Sequence, residues 1–318
     1  MLDALRFVQG AVAKRDFVPA LTHFRITAGE IKGYNGTLAL RSPIAIDLEA
    51  TPKALPFIKA IQTCDETASL HLTPKGKLAV ASGRFRAYID CLNDPYPSVE
   101  PEGELIELEP GLHNVMETLL PFVSEDASRP WSRGILFQGQ SAFATNNVTL
   151  VQYWMPAVCP VVVNVPRAAV VELARIGEDP IALQATASNI TFHFPGDRWL
   201  RTQAYNSEWP NLVPILDQDL TACPELTEDF WLAVNELAPF VDDTGGLYLA
   251  NGLITTSLIE GEGAQAEVPG LVADGRFNVE YLKLLEGVAT HASLVARSPG
   301  ALFFGPNLRG AIAAMRTA

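Results

Sequence analysis

The sequence predicts an α+β fold built from three copies of one unit. Each copy begins with an apolar helical stretch, continues as pairs of strands, and ends with a second helix followed by a β-hairpin. The change from a period of 3.6 residues to a period of 2 marks each passage from helix to strand. Because this order of elements occurs three times, it has the form of an internal repeat.

The elements follow from the periodicity along the chain. The opening apolar stretches and the second helices are predicted at 2–12, 112–123, 230–241, 53–63, 165–177 and 277–288. The strands between and after them are predicted at 23–26, 30–34, 69–72, 77–80, 134–137, 141–145, 181–183, 190–194, 247–249, 253–258, 292–295 and 301–304. Pro166 near the start and Gly177 at the end delimit the second helix of the middle copy.

The spacing between glycine and proline links the first two copies. Gly83 precedes Pro97 by fourteen positions, and Gly196 precedes Pro210 by the same fourteen. An equal spacing after equivalent hairpins is expected of repeated units and is not a general property of α+β chains. It therefore supports a true repeat.

Two joins rich in proline and acidic residues, 95–104 and 210–224, separate the copies. Their length and composition suit short linkers. We therefore predict three domains, at 1–104, 105–220 and 221–318, each large enough to bury a core of its own.

Composition excludes several classes of protein. The chain has 318 residues, of which 48% are hydrophobic, so it is globular and not disordered. Its 36 acidic and 23 basic residues give a net charge of −13, which argues against binding nucleic acid over most of the surface but allows bases gathered on one face. Four cysteines without C-x-x-C spacing, and no signal-peptide pattern, predict a cytoplasmic protein with reduced thiols.

The sequence contains none of the common catalytic or metal-binding motifs. The five histidines are scattered, and no P-loop or G-x-S-x-G motif occurs. The acidic pairs Asp217/Asp219 and Asp242/Asp243 lie in predicted linkers or turns, where carboxylates are usually solvated. The sequence therefore predicts no enzyme active site, no metal and no cofactor.

A series of short motifs runs in a fixed order through the second and third copies. They are Ser-Arg-Pro at 128–130, Arg-Gly-Ile-Leu-Phe at 133–137, Ala-Thr at 144–145, Val-Asn-Val-Pro-Arg at 163–167, Asn-Ile-Thr-Phe-His at 189–193, Trp-Pro at 209–210, Phe-Asn-Val-Glu-Tyr-Leu at 277–282 and Ala-Met-Arg at 314–316. Together they resemble the bacterial DNA polymerase III β subunit, the sliding clamp. The chain looks like a divergent and short member of that family.

The resemblance implies a fold and a function. The implied fold is the DNA-clamp fold, in which each domain packs two helices on antiparallel sheets and two chains close head to tail into a ring. The implied function is a non-enzymatic processivity factor, a homodimer that encircles duplex DNA without regard to sequence. It would tether a replicative DNA polymerase and be opened by a separate clamp loader.

The resemblance also implies two sets of functional residues, of which the first faces DNA. Arg15, Arg129 and Trp131 match positions at the edge of the ring, where Trp131 is expected to stack on a base or, alternatively, to pack on its own sheet. Basic residues of the second helices are expected to face the hole: Lys53, Lys59, Arg167 and Arg175.

The second set would form a cleft that binds short peptides through apolar anchors. It consists of Thr145, Asn147, Val148, Thr149, Leu150, Pro210, Pro214, Ile215, Met315 and Arg316. Leu150, Ile215 and Met315 have the alternative of being ordinary core residues. The family has His and Arg where this chain has Val148 and Thr149, which predicts a cleft suited to a different peptide.

Two other functions fit the sequence. A protein with the clamp fold can bind polymerase peptides as a monomer without encircling DNA. An acidic hydrolase with an unrecognised active site is the other alternative. A ring of three chains is disfavoured, because three units in each of two chains already give the six units of the ring.

Overall fold

The structure, a computed structural model, describes residues 1–15, 17–27, 29–65, 67–205, 207–218, 223–297 and 300–316. Its mixture of helices and antiparallel sheets confirms the α+β class. The helices in the described residues are α1 (Leu2–Val8), α2 (Ala54–Thr63), α3 (Leu112–Leu119), α4 (Arg167–Ile176), α5 (Val213–Leu216), α6 (Glu228–Leu237) and α7 (Val279–Lys283). None of these helices combines the length and the hydropathy needed to cross a membrane.

The strands in the described residues outnumber the helices. They are β1 (Phe24–Thr27), β2 (Glu30–Tyr34), β3 (Leu38–Pro43), β4 (Ser69–Leu72), β5 (Leu78–Ser82), β6 (Phe85–Ile89), β7 (Leu105–Glu107), β8 (Gly134–Thr145), β9 (Thr149–Pro166), β10 (Ala182–Ala185), β11 (Asn189–Phe194), β12 (Arg198–Gln203), β13 (Gly246–Ala250), β14 (Leu253–Thr255), β15 (Gln265–Glu267), β16 (Ala273–Asn278), β17 (His291–Val295), β18 (Ala301–Gly305) and β19 (Leu308–Ile312).

The chain forms two compact units, of which unit 1 contains residues 1–113 and 168–206. Its main sheet has seven strands in the order β1-β2-β3-β12-β11-β10-β7, and β4, β5 and β6 form a separate sheet. Leu40, Leu200, Phe192 and Leu183 lie side by side across four strands and are buried on one face. Helix α1 packs near this sheet, where Gly33 allows close approach because a Cβ there would lie 2.9 Å from the carbonyl oxygen of Val8.

The opposite face of the same sheet is polar and carries a small ion-pair network. Glu30 lies 3.0 Å from the ammonium of Lys32 and accepts a 2.9 Å hydrogen bond from Arg41. Burial alone would raise the pKa of the Glu30 carboxyl, but the hydrogen bonds and charges of Lys32 and Arg41 outweigh it and lower that pKa. The ionised carboxylate therefore stabilises unit 1.

We expect Glu30→Gln to lower the free energy of unfolding by about 1 kcal/mol at pH 7. Because the pKa of Glu30 is lowered on folding, this contribution is present above the unfolded pKa and is lost as the pH falls through the folded pKa. Thermal unfolding of the wild type and the variant should therefore differ at pH 7, and the difference should shrink as the pH falls through the folded pKa of Glu30. Asp3→Asn removes an exposed pair with Arg6 and should have no effect over the same pH range; an equal loss in both variants would contradict the prediction.

Unit 2 contains residues 114–167 and 207–318. Its sheet has nine strands in the order β15-β14-β13-β16-β17-β18-β19-β9-β8. The β8–β9 hairpin is the longest feature, and its register shifts on either side of Gly139, because β9 has extra residues that bulge out of the ladder. The first half of β9 also pairs with β19. This pairing brings distant parts of the sequence together and forms the site described below.

Most predicted elements are confirmed, with shifts of a few residues at their ends. The strands predicted as a pair at 134–137 and 141–145 are instead one continuous strand, β8, and both parts of it pair with β9. The helix predicted at 277–288 is wrong in its extent: Phe277 and Asn278 end β16, and α7 covers only Val279–Lys283. Each predicted hairpin also has a third strand that the alternation did not indicate, namely β6, β12 and β19. The predicted turn at 298–299 lies outside the described residues.

The division into three domains stays a prediction, and its second boundary at 220 lies outside the described residues. Within unit 1, strands of the first and the second predicted domain share one sheet through the β3–β12 pair. Within unit 2, strands of the second and the third share another through β9 and β19. Sheets that continue across the predicted joins explain why the compact units do not coincide with the sequence repeats.

Candidate functional site

A cleft with a volume of about 160 Å³ opens on the surface of unit 2. Its lining is apolar apart from hydroxyl and amide groups and one charged side chain, Arg129. The lining residues are Arg129, Trp131, Thr145, Asn147, Val148, Thr149, Leu150, Leu212, Ile215, Ala311 and Ala313. We refer to this feature as the cleft.

The tight turn between β8 and β9 forms one wall of the cleft. The Thr145 hydroxyl donates to the carbonyl oxygen of Thr149 at 2.6 Å and accepts from the amide of Asn147 at 3.0 Å. The Asn146 side chain accepts from the amides of Val148 and Thr149. Asn147 has φ of 74°, a left-handed conformation that asparagine tolerates better than most residues. The turn is therefore held in one conformation by its own side chains.

The floor of the cleft is the surface of a buried apolar cluster. Leu150 on β9 and Ala311 on β19 are direct partners in the sheet and are both buried. They pack with Leu136, Phe143, Leu216 and Leu302. Since Ala311 has only a methyl group, the sheet is depressed at that point and leaves room for another side chain.

An aromatic pair and an arginine form the rim. The Trp131 and Trp209 rings meet edge to face with centroids 5.1 Å apart, a favourable geometry for aromatic pairs. The Arg129 guanidinium donates to the side-chain oxygen of Asn147 at 3.0 Å. Its partner there is a neutral amide, so the positive charge of Arg129 is available to an anionic group of a ligand.

Six of the ten residues predicted for the cleft line it, namely Thr145, Asn147, Val148, Thr149, Leu150 and Ile215. Pro210, Pro214, Met315 and Arg316 are not among the lining residues. Pro210, Pro214 and Arg316 are exposed. The Met315 backbone amide donates to the carbonyl of Arg276. The peptide-binding role of all ten stays a prediction.

Sequence reasoning missed Leu212, Ala311 and Ala313, which also line the cleft. Alanines carry no chemical signal in a sequence. The hydrophobic alternation did not indicate β19, and no local pattern identifies its partner strand β9.

Two residues predicted to contact DNA lie in the cleft. Arg129 and Trp131 both belong to its lining. The Trp131 ring packs on Trp209 and the residue is half-buried, and its stacking on a base stays a prediction.

The other residues predicted to contact DNA differ in their exposure and in their ion pairing. Arg15 and Lys59 are exposed and Lys53 is half-buried. Arg167 makes a 2.6 Å ion pair with Glu125. These assignments stay predictions.

Among the residues predicted to contact DNA, Arg175 is the least suited to that role. It donates to both carboxylate oxygens of Glu172, which is buried, and to the carbonyl oxygens of Arg6 and Phe7 at the end of α1. Because four hydrogen bonds occupy the guanidinium within unit 1, we do not include Arg175 among the proposed DNA contacts.

Several strand edges in the described residues are open, and those of β6 and β15 carry opposite charges. In unit 1, β6 pairs only with β5, and its exposed residues are Arg86 and Tyr88, preceded by Arg84. In unit 2, β15 pairs only with β14 and ends with Glu267. The loop before β15 exposes Leu258, Ile259, Glu260 and Glu262. Open strand edges are templates for pairing with another chain.

Four cysteine thiols are among the described titratable groups. Burial raises the pKa of all four cysteine thiols, so each is protonated and weakly nucleophilic at neutral pH. Among the residues that the structure describes, Arg129 is the only titratable side chain that lines the cleft, and no acid–base pair of described residues converges there. No cluster of three or more potential metal ligands is present in the described part of the chain.

Comparison with solved structures identifies the fold. Caulobacter crescentus pol III β superposes with a TM-score of 0.85 at 19% identity, over 99% of this chain and 97% of that one. The Bacillus subtilis DNA polymerase sliding clamp gives 0.81 at 16%, over 100% and 97%. The Helicobacter pylori β clamp, solved with a DNA ligase peptide, gives 0.78 at 16%, over 99% and 97%. Searches of sequence families and of curated protein sequences find no match. The chain has the bacterial sliding-clamp fold.

Proposed function

We propose that the protein is a DNA sliding clamp, a processivity factor that encircles duplex DNA as a homodimeric ring and tethers a replicative polymerase and other partners through the cleft. The observation that carries this proposal is the end-to-end match to sliding clamps in a chain that also has a cleft lined by apolar, hydroxyl and amide side chains. A topological link retains the protein on DNA without strong local affinity. It is therefore compatible with a net charge of −13.

The geometry of the cleft supports peptide binding. Apolar surface on Leu150, Ile215 and the Trp131–Trp209 pair would bury one or two large apolar side chains, which are typical anchors of short peptides. Arg129 at the rim would bind a peptide carboxylate. The Helicobacter pylori clamp binds a DNA ligase peptide, and we propose the same class of partner for this chain.

The open edges support closure of the ring. In a head-to-tail dimer, β6 of each protomer would meet β15 of the other, so that Arg84 and Arg86 approach Glu260, Glu262 and Glu267. The apolar side chains of Tyr88, Leu258 and Ile259 would be buried at the same contact. Opposite charges around an apolar centre are the usual pattern of a specific interface.

We also propose that the protein is not an enzyme and that the ATP-driven opening of the ring belongs to a separate clamp loader. The protonated cysteines and the single titratable group of the cleft support this view. The exposed cations Arg15 and Lys59 are the proposed phosphate contacts.

Retention on circular and linear DNA tests encirclement. Dimers are allowed to re-form from diluted protein in the presence of nicked circular plasmid, and the complex is passed through gel filtration before and after a single restriction cut. We expect protein to stay with the circle in high salt and to leave the linear product within minutes. Equal loss from both forms, or a stable monomer of 34.4 kDa in solution, would instead favour a peptide-binding protein that does not encircle DNA.

A further inference from the structure

Asn164 is a buried polar residue in an otherwise apolar part of β9. Apart from Cys159, every other side chain in the sequence 155–166 is apolar. Only 6% of the surface of Asn164 is exposed. Burying an amide costs free energy, and a valine would suit this strand position better. Packing of the core therefore does not account for an asparagine here.

The amide of Asn164 bonds to the rim of the cleft. Its Nδ2 donates to the main-chain carbonyl oxygen of Trp131 at 2.8 Å. Trp131 lies in the short 3-10 turn Pro130–Ser132 that precedes β8. Leu136 on β8 is the direct sheet partner of Asn164 and belongs to the apolar cluster under the cleft, so both side chains lie on one face of the sheet. The bond thus connects the floor of the cleft to its aromatic rim.

The neighbouring main chain leaves room for this amide. A Cβ at Gly134 would lie 2.3 Å from the Oδ1 atom of Asn164, so a larger residue there would displace the side chain. Among the described residues, Oδ1 has no hydrogen-bond partner. The polar contribution of Asn164 within the described part of the chain therefore lies in the bond from Nδ2 to Trp131.

The position of Trp131 determines the shape of the cleft on this side. Its residue is half-buried, and its ring meets Trp209 edge to face with centroids 5.1 Å apart. Trp209 in turn packs against the buried apolar cluster. A shift of the Trp131 main chain would move the ring and change the width of the cleft. A rim that is fixed before binding lowers the entropy cost of holding a peptide.

We propose that Asn164 is a positioning residue for the cleft. Its amide holds the main chain of Trp131, and thereby the indole ring, in the arrangement that binds a peptide. This inference rests on the proposed peptide-binding function of the cleft and adds a residue that is not among the lining residues. Asn164 acts through Trp131 and does not itself contact the peptide.

Three substitutions test this role. Asn164→Val removes the amide and places a residue suited to a buried strand, whereas Trp131→Ala removes the indole and keeps the main-chain carbonyl. Thr255→Val is the matched control. Thr255 is also buried in unit 2, its hydroxyl donates to the carbonyl of Ser257 at 2.8 Å, and it does not line the cleft. Thermal unfolding establishes that each variant is folded at the temperature of the measurements.

Acrylamide quenching of tryptophan emission tests positioning in the free protein. The Trp131 component is the difference between each protein and the same protein carrying Trp131→Phe. We expect Asn164→Val to raise the quenching of this component, because the ring is no longer held in place. Thr255→Val should leave it unchanged. Equal quenching in the wild type and Asn164→Val would overturn the inference.

A double-mutant cycle on peptide affinity tests the consequence for binding. The probes are the DNA ligase peptide that the Helicobacter pylori clamp binds and short peptides with two adjacent large apolar residues. Asn164→Val should raise the dissociation constant about tenfold in the wild-type background. In the Trp131→Ala background it should raise it less than about twofold, because the ring through which Asn164 acts is absent. Thr255→Val should bind as the wild type does.

The outcomes separate this inference from the proposed function. An equal loss of affinity in both backgrounds, or no loss in either, would show that Asn164 does not act through Trp131. A wild type that binds none of the peptides would instead refute the peptide-binding role of the cleft. In that case the quenching measurement would still decide whether Asn164 positions Trp131.

Discussion

Ala313→Arg should abolish peptide binding in the cleft and leave the fold unchanged. Ala313 lines the cleft and is exposed, so a long charged side chain there would occupy the mouth without displacing buried atoms. A large apolar side chain of the peptide that is kept out of the cleft stays in water and loses the free energy gained by its burial. We expect the dissociation constant to rise about 100-fold, or about 2.7 kcal/mol.

Fluorescence anisotropy with labelled peptides measures this effect. The probes are the DNA ligase peptide that the Helicobacter pylori clamp binds and a panel of short peptides with two adjacent large apolar residues. Quenching or a shift of tryptophan emission provides a second signal, because Trp131 lines the cleft and packs on Trp209.

Ala250→Arg is the matched control. Ala250 is also an exposed alanine of unit 2, at the end of β13, and it is not among the lining residues. It should bind every peptide as the wild type does, and both variants should unfold within about 0.5 kcal/mol of the wild type. Undiminished binding by Ala313→Arg would show that peptides bind elsewhere on the protein.

The cleft illustrates how far the sequence carries a prediction. The turn from Thr145 to Leu150 was predicted because its residues are contiguous and match a motif. Ala311 and Ala313 were missed, because they join the site only through the pairing of β19 with β9, about 160 residues apart in sequence. Strand pairing at such distance depends on the whole fold, which local periodicity does not encode.

Charged residues are a second case in which local reasoning falls short. Apolar periodicity predicted a helix at 165–177 that contains Arg175, and the structure confirms a helix there. Only packing reveals that Glu172 and the end of α1 occupy its guanidinium. Conversely, Phe17, between α1 and β1, is exposed, which periodicity does not indicate. The order of helices and strands is thus predictable from hydrophobic periodicity. Whether a given side chain is free to bind a ligand depends on tertiary packing.

Reversing the charges of the β6 edge should dissociate the proposed ring. Arg84→Glu/Arg86→Glu would place carboxylates opposite Glu260, Glu262 and Glu267 of the partner. Each reversed pair costs about 1 kcal/mol or more, so the dimer dissociation constant should rise about 100-fold. Analytical ultracentrifugation should find wild type near twice 34.4 kDa and the variant near the monomer mass. Higher salt should partly restore the dimer.

A second variant, Glu260→Lys/Glu262→Lys, makes the test specific for a head-to-tail contact. Alone it should also be monomeric, since its lysines would face Arg84 and Arg86. Mixed in equal amounts, the two variants should form a dimer, because one interface is then native and the other has both charges reversed. Lys14→Glu/Arg15→Glu changes the net charge by the same amount outside both edges and should stay dimeric. If the β6 and β15 variants fail to rescue each other, β6 and β15 are not partners, and the proposed closure of the ring is wrong.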